Sequence, residues 1–217
     1  MTDICLKVRP LAFHPSFSKD HLNAGGKVIL PQSVLREVMD ISGNEIHSPI
    51  VFTIIKNDAD LISVGVEEFS SPENYIYLPN FIMEQYWLPH ESEVMLRYEK
   101  VEKGTMVELE PHSMTFIDSD AKGKKYLESY ISKHYPVLRK GSTILIKEND
   151  NEYYINIKNT APADIILTVD TDLTVEFAQP LDYVEPPPPA VVETMPMPTS
   201  HFVPFAGKGY RLGHGTN

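Results

Sequence analysis

A nine-residue pattern occurs twice in this chain, so any fold that holds it must seat the same unit in two places. Lys27-Val28-Ile29-Leu30-Pro31-Gln32-Ser33-Val34-Leu35 and Tyr75-Ile76-Tyr77-Leu78-Pro79-Asn80-Phe81-Ile82-Met83 each read as a short β-rich run closing on Leu-Pro. A short helix follows, with the proline at its first position, where the missing N–H removes no helical hydrogen bond. Between the copies lie two β-branched runs, residues 50–56 and 61–66, separated by Asn57-Asp58-Ala59-Asp60, which reads as a hairpin turn. Residues 94–101 form a further strand. The repeated strand-proline-helix unit predicts a compact barrel over residues 8–102.

A second part opens at Lys103-Gly104. Residues 105–110 read as a strand, and residues 122–135 as a helix with Tyr126, Leu127, Tyr130, Ile131 and His134 on one side. Short β-branched strands at 143–147, 153–157, 165–169 and 173–177 complete an α+β lobe over residues 103–185. The prediction is therefore mainly β: a barrel, a smaller α+β subdomain, and then a disordered proline-rich tail. Pro186–Pro189, Pro196, Pro198 and Pro204 supply seven of the chain's 18 prolines, and residues 186–204 read as a stiff extended linker. In polyproline II geometry, at about 3.1 Å per residue, such a stretch reaches roughly 60 Å.

Composition excludes some function classes. The chain has 217 residues, of which 42% are hydrophobic, and no apolar run approaches the roughly 20 residues of a membrane helix. No membrane insertion is expected. The first residues lack the basic start and long apolar stretch of a secretory signal, and Cys5 is the only cysteine, which suits a reducing compartment. A formal net charge of −11 repels a phosphate backbone, and no Lys/Arg block offsets it, so nucleic acid is not an expected partner.

Beyond the linker, residues 205–213 contain Phe205-Ala206-Gly207-Lys208-Gly209-Tyr210-Arg211-Leu212. Two large apolar side chains sit seven positions apart with two glycines between them. This segment is too short and glycine-rich to hold a structure alone, and reads as a docking peptide that borrows its fold from a partner. Its spacing resembles the SHP box, with which cofactors of the hexameric AAA+ unfoldase valosin-containing protein grip that enzyme's N-terminal domain. In this reading Phe205 and Leu212 are the buried anchors. Gly207 and Gly209 allow close backbone approach, as in a peptide that adds itself to a sheet edge. A phosphate-binding loop is excluded, because Leu212 stands where the third glycine belongs and no helix follows.

The body resembles the N-terminal domain of the ubiquitin fusion degradation protein 1 family. The resemblance is carried by Asn23-Ala24-Gly25-Gly26 leading into the first Leu-Pro, by Tyr77-Leu78-Pro79, by Leu109-Glu110-Pro111-His112-Ser113, and by Asp170 through Pro186. It implies a double-psi β-barrel followed by an α+β lobe. It also implies an adaptor that binds ubiquitin or polyubiquitin and delivers ubiquitylated clients to the unfoldase, including in ER-associated degradation. The implied location is the cytoplasm, with the nucleus and the ER surface reached through partners. Nuclear protein localisation protein 4 is a partner of longer relatives, which bind it through a further C-terminal segment; ending at Asn217, the chain leaves that partner open.

Catalysis is the alternative, because double-psi barrels have aspartic-protease relatives whose paired Asp-Thr-Gly loops share one proton between two carboxylates. Asp170-Thr171-Asp172 is the nearest approach to such a loop, but it has Asp in the glycine position and no second copy. Asp170 and Asp172 read instead as turn residues. The eight histidines include no His-x-His or His-Glu-x-x-His pair, and Cys5 lies at the start of the chain, read as flexible. The expectation is no catalytic residue, no metal and no bound cofactor. The one tryptophan, Trp87, reads with Met39 and Met83 as core or a partly buried lid over the barrel.

Overall fold

The structure, a computed structural model, describes residues 4–15, 22–43, 48–119 and 123–184. The stretches read as linker and docking peptide, with Phe205, Gly207, Gly209 and Leu212, lie outside those residues. The described residues up to Tyr183 form one compact unit.

The first subdomain contains β1 (Ile4–Pro10), β2 (Lys27–Ile29), α1 (Gln32–Ser42), β3 (Val51–Lys56), β4 (Ala59–Glu68), β5 (Tyr75–Leu78), α2 (Asn80–Gln85) and β6 (Glu93–Glu99). Its strands close into a barrel in the order β1-β5-β2-β4-β3-β6. The repeat explains the closure. Ile29 of β2 pairs with Tyr77 of β5 in antiparallel register, and these are equivalent positions in the two copies. A strand that meets its own equivalent head to tail lies on a local twofold axis. The flanking contacts obey the same symmetry, since β1 runs parallel to β5 and β4 runs parallel to β2. Two such parallel pairs are consistent with a pseudo-twofold barrel. The expected turn is present, with both Asn57 and Asp58 at positive φ between β3 and β4, as a tight hairpin requires.

Three local details differ from the sequence expectations. Pro31 and Pro79 each sit one position before the first helical residue, in extended conformation, where the ring fixes the angle of entry. Cys5 belongs to β1 and pairs with Met95 of β6, so the start of the chain is an integral barrel strand. Its side chain faces outward because β1 alternates buried and exposed positions.

The second subdomain contains β7 (Glu102–Lys103), β8 (Met106–Pro111), α3 (Met114–Asp118), α4 (Lys124–His134), β9 (Val137–Arg139), β10 (Thr143–Glu148), β11 (Asn151–Ala161), β12 (Ile165–Leu167) and β13 (Thr174–Phe177). A four-stranded sheet runs β10-β11-β8-β13 and a three-stranded one β7-β12-β9. Leu127 and Ile131 of α4 are buried, while Tyr126, Tyr130 and His134 form a continuous ring stack along the helix. Both subdomains share one apolar core, which includes Val28, Phe52 and Leu96 of the barrel and Leu109, Leu127 and Ile155 of the lobe. Among the described residues no helix is long and apolar enough to cross a membrane.

The seam between the subdomains is built on glycine. A β-carbon added to Gly25 would lie 2.8 Å from the carbonyl oxygen of His134, and one on Gly26 2.9 Å from the Tyr135 ring. The backbones hydrogen-bond directly across the seam, Gly26 N donating to His134 O at 2.9 Å, while Gly26 O accepts from Gly65 N within the barrel at 2.9 Å.

Candidate functional site

The most unusual local geometry lies where α2 ends. Trp87 adopts φ +50, a left-handed conformation that costs a bulky residue roughly 1–2 kcal/mol. The hydrogen bonds explain why the chain turns there. Trp87 N donates to Glu84 O and Leu88 N to Met83 O at 2.8 Å, which is the paired closure of a Schellman helix end. Leu88 is buried, supplying the apolar contact that accompanies this motif. Glycine is the usual occupant of the left-handed position, yet here it holds an indole that is 86% exposed. Lys56 Nζ donates to the Trp87 carbonyl at 3.1 Å and fixes the turn. Trp87 is thus displayed outward, correcting the expectation of a buried lid. Met39 is likewise exposed, whereas Met83 packs partly against the core as expected.

Beside this indole runs an open apolar groove of about 690 Å³, lined by Phe13, Met83, Glu84, Trp87, Leu88 and His90 among others. Phe13 is 62% exposed and meets the His90 ring edge-on at 5.3 Å. Exposed apolar side chains clustered in one concave surface mark a site of association, because isolated ones are common but contiguous ones are not. Polar contacts tie β1 to β5 and to the turn before β6. Arg9 lies 3.5 Å over the Tyr75 ring and pairs with Glu91 at 3.1 Å, while Tyr75 Oη donates to the same carboxylate at 3.2 Å. Desolvation opposes ionisation of Glu91, but the hydrogen bonds from Arg9 and Tyr75 outweigh it and hold the carboxyl below its ordinary value. Glu84 also influences the second subdomain: burial first, then Glu152 and Glu84, push the Tyr154 hydroxyl up.

The electrostatics elsewhere serve the seam. Asp60 Oδ2 accepts from Arg97 at 2.6 Å within the barrel and from Arg139 at 2.9 Å in the lobe. The Arg97 hydrogen bond, then the Arg139 charge, hold the Asp60 carboxyl below its ordinary value against partial burial. The Tyr86 hydroxyl is pushed up to about 12 by burial. It is therefore neutral at any physiological pH.

The sequence candidates fall in different places. Asp170, at φ +51, and Asp172 lie in the turn that precedes β13, in the second subdomain. Thr171 Oγ1 donates to Gly104 O at 2.6 Å and Lys103 Nζ to Asp170 O at 2.7 Å, which gives this turn a structural task. Among the described residues no group of three His, Cys, Asp or Glu side chains is arranged to hold a metal ion. Trp87 and Phe13 were missed as surface residues because aromatic side chains near helix ends usually pack inward. The readable signal was Trp87-Leu88-Pro89, a helix stop with no glycine in it.

Comparison with known proteins places the chain in a family. The model of ubiquitin fusion degradation protein UFD1, N-terminal subdomain 1, matches residues 4–102, and that of its N-terminal subdomain 2 matches residues 103–180. The chain belongs to the ubiquitin fusion degradation protein 1 family. It is 31% identical over 208 residues to the ubiquitin fusion degradation protein 1 homolog of Dictyostelium discoideum, covering 95% of this chain and 60% of that protein. Against ubiquitin fusion degradation protein 1 of Saccharomyces cerevisiae the identity is 33% over 173 residues, covering 77% and 46%. Against ubiquitin recognition factor in ER-associated degradation protein 1 of Mus musculus it is 28% over 218 residues, covering 96% and 69%. The chain therefore spans about half to two thirds of the length of these family members.

Proposed function

We propose that this chain is a non-catalytic adaptor of ubiquitin-dependent protein degradation, including the ER-associated branch, and that the groove beside Trp87 is its contact with ubiquitin. The names of its relatives support the role, since they are called ubiquitin fusion degradation protein and ubiquitin recognition factor. The observation that carries the site is the exposed indole of Trp87 at a position built for glycine. A fold does not keep a strained, solvated tryptophan for its own stability, and strained residues of this kind concentrate at binding sites. With Phe13 and Met83 it offers an apolar surface of the sort that supplies hot spots in protein association.

The second half of the proposal concerns the tail. Phe205 and Leu212 anchor the chain on the N domain of a valosin-containing-protein-type unfoldase, with Gly207 and Gly209 letting the backbone approach closely. One such peptide binds with a dissociation constant on the order of micromolar, about −8 kcal/mol, and tethering to a second site raises the effective affinity. The adaptor then works in the cytoplasm, and in the nucleus or at the ER surface where its partners are.

Calorimetric titration tests both contacts separately. Monoubiquitin is titrated into the wild-type chain and into Trp87→Gly, and the unfoldase N domain into wild type and Phe205→Ala/Leu212→Ala. Loss of ubiquitin binding in the first variant alone, and of unfoldase binding in the second alone, is the expected result. Unchanged ubiquitin binding in Trp87→Gly overturns the groove assignment.

A further inference from the structure

The two outer edges of the β10-β11-β8-β13 sheet are finished differently. On β10, the Tyr135 hydroxyl donates to Leu145 O at 2.7 Å and accepts from Leu145 N at 2.8 Å. Tyr130 accepts from Lys147 N at 3.0 Å and Tyr126 donates to Lys147 O at 2.9 Å. Three tyrosines from α4 and its end thus occupy the backbone groups that a further strand would need. An unpaired edge is a template for another chain, and here it is closed by side chains.

The β13 edge has no such cover among the described residues. Thr174 N donates inward to Thr105 O, and Ala178 N to Leu109 O. By the alternation of a parallel ladder, the N–H and C=O groups of Val175 and Phe177 then point outward. Acidic groups stand on both sides of this edge. On the helix side a pocket of about 320 Å³ adjoins Val175, with Glu128, Ser129, Ser132 and Asp172 among the residues that line it. On the opposite face Glu176 lies in register with Glu108 of β8. Two positions along from Val175, Phe177 is 42% exposed and leans on Phe116 with ring centroids 6.1 Å apart.

We propose that the outer edge of β13 is a strand-addition site for an extended basic segment of a partner protein. The segment's backbone pairs with Val175 and Phe177. One lysine or arginine enters the pocket beside Asp172, and an apolar side chain two positions away covers Phe177. That spacing follows from the strand period, which places alternate side chains on one face about 6.6–6.8 Å apart. Main-chain pairing supplies affinity and the pocket supplies selectivity for the cation. This site is separate from the groove at Trp87.

The test uses a fluorescein-labelled decapeptide in which threonine alternates with arginine and valine, titrated into the full chain by anisotropy, with amide hydrogen exchange read by NMR. The expected result is binding that protects the Val175 and Phe177 amides, and that weakens about tenfold or more when the peptide arginines are changed to glutamate or when the protein carries Asp172→Lys. Asp172→Lys changes a turn side chain and leaves the β13 backbone in place, and the peptide substitution leaves the protein untouched. Absence of binding overturns the proposal. So does binding that leaves those two amides exchanging as before, or that is indifferent to the sign of the peptide charge.

Discussion

Pro136 fills the space that a side chain on Gly65 would need: a β-carbon built on Gly65 lies 2.3 Å from Pro136 Cγ. Gly65 belongs to the barrel and Pro136 to the second subdomain, between α4 and β9, so this contact sets how closely the two approach. Gly65→Ala forces the seam apart and is expected to destabilise the chain by roughly 1–3 kcal/mol, the usual range for overpacking. Urea unfolding of Gly65→Ala, Pro136→Ala and the double variant checks it. Much of the loss should return in the double variant, because the clash has one partner.

Asp60 joins the same two subdomains through Arg97 and Arg139. Its folded carboxyl lies below its ordinary value of 3.8. The sign follows from linkage: the unfolded chain binds the proton more readily, so the stabilisation is complete above the unfolded value and is lost as the pH falls through it toward the folded value. Asp60→Asn is therefore expected to cost roughly 1–2 kcal/mol at pH 7. The gap between wild type and variant should close as unfolding is measured at successively lower pH below about 5.

Trp87→Gly separates stability from binding. Glycine relieves the left-handed strain, and the mostly solvated indole gives up little burial, so the melting temperature should rise by the equivalent of about 1 kcal/mol. Ubiquitin binding should fall in the same variant. A lower melting temperature would show that the indole stabilises the fold.

Tyr135→Phe removes a hydroxyl that satisfies both the N–H and the C=O of Leu145 inside the core. Leaving two buried backbone groups unpaired is expected to cost roughly 2–4 kcal/mol, far more than the lost atom implies. The same substitution at Tyr126, whose hydroxyl makes a single bond to Lys147 O, should cost under about 1.5 kcal/mol. Denaturant midpoints of the two variants measure the difference.

Much of the fold was legible because local chemistry announced it. The Leu-Pro repeat marked equivalent strands, and the Ile29–Tyr77 pairing shows that equivalence in space. Asn57-Asp58 announced a hairpin because both residues tolerate positive φ. The buried side of α4, with Leu127 and Ile131, was readable from its period. The proline positions were misjudged by one residue, since a proline just before a helix and one at its first position satisfy the same local constraint.

The groove was not legible, for a physical reason. Trp87 lies in the sequence beside Leu88, which is buried, and Tyr86, whose hydroxyl burial pushes up to about 12. Only the left-handed turn at the end of α2 rotates the indole away from them. Likewise, the acidic residues Asp172 and Glu128 lie far apart in the chain, and only the packing of α4 beside the turn before β13 brings them into one pocket. From the sequence alone came the pattern of elements, the family resemblance and the peptide from Phe205 to Leu212, because hydrophobic period, turn residues and motif spacing are local properties of a chain. The tertiary structure alone decided which aromatic faces water, which sheet edge is closed by tyrosines and which subdomain surfaces meet on glycine, because each depends on side chains far apart in sequence competing for the same space.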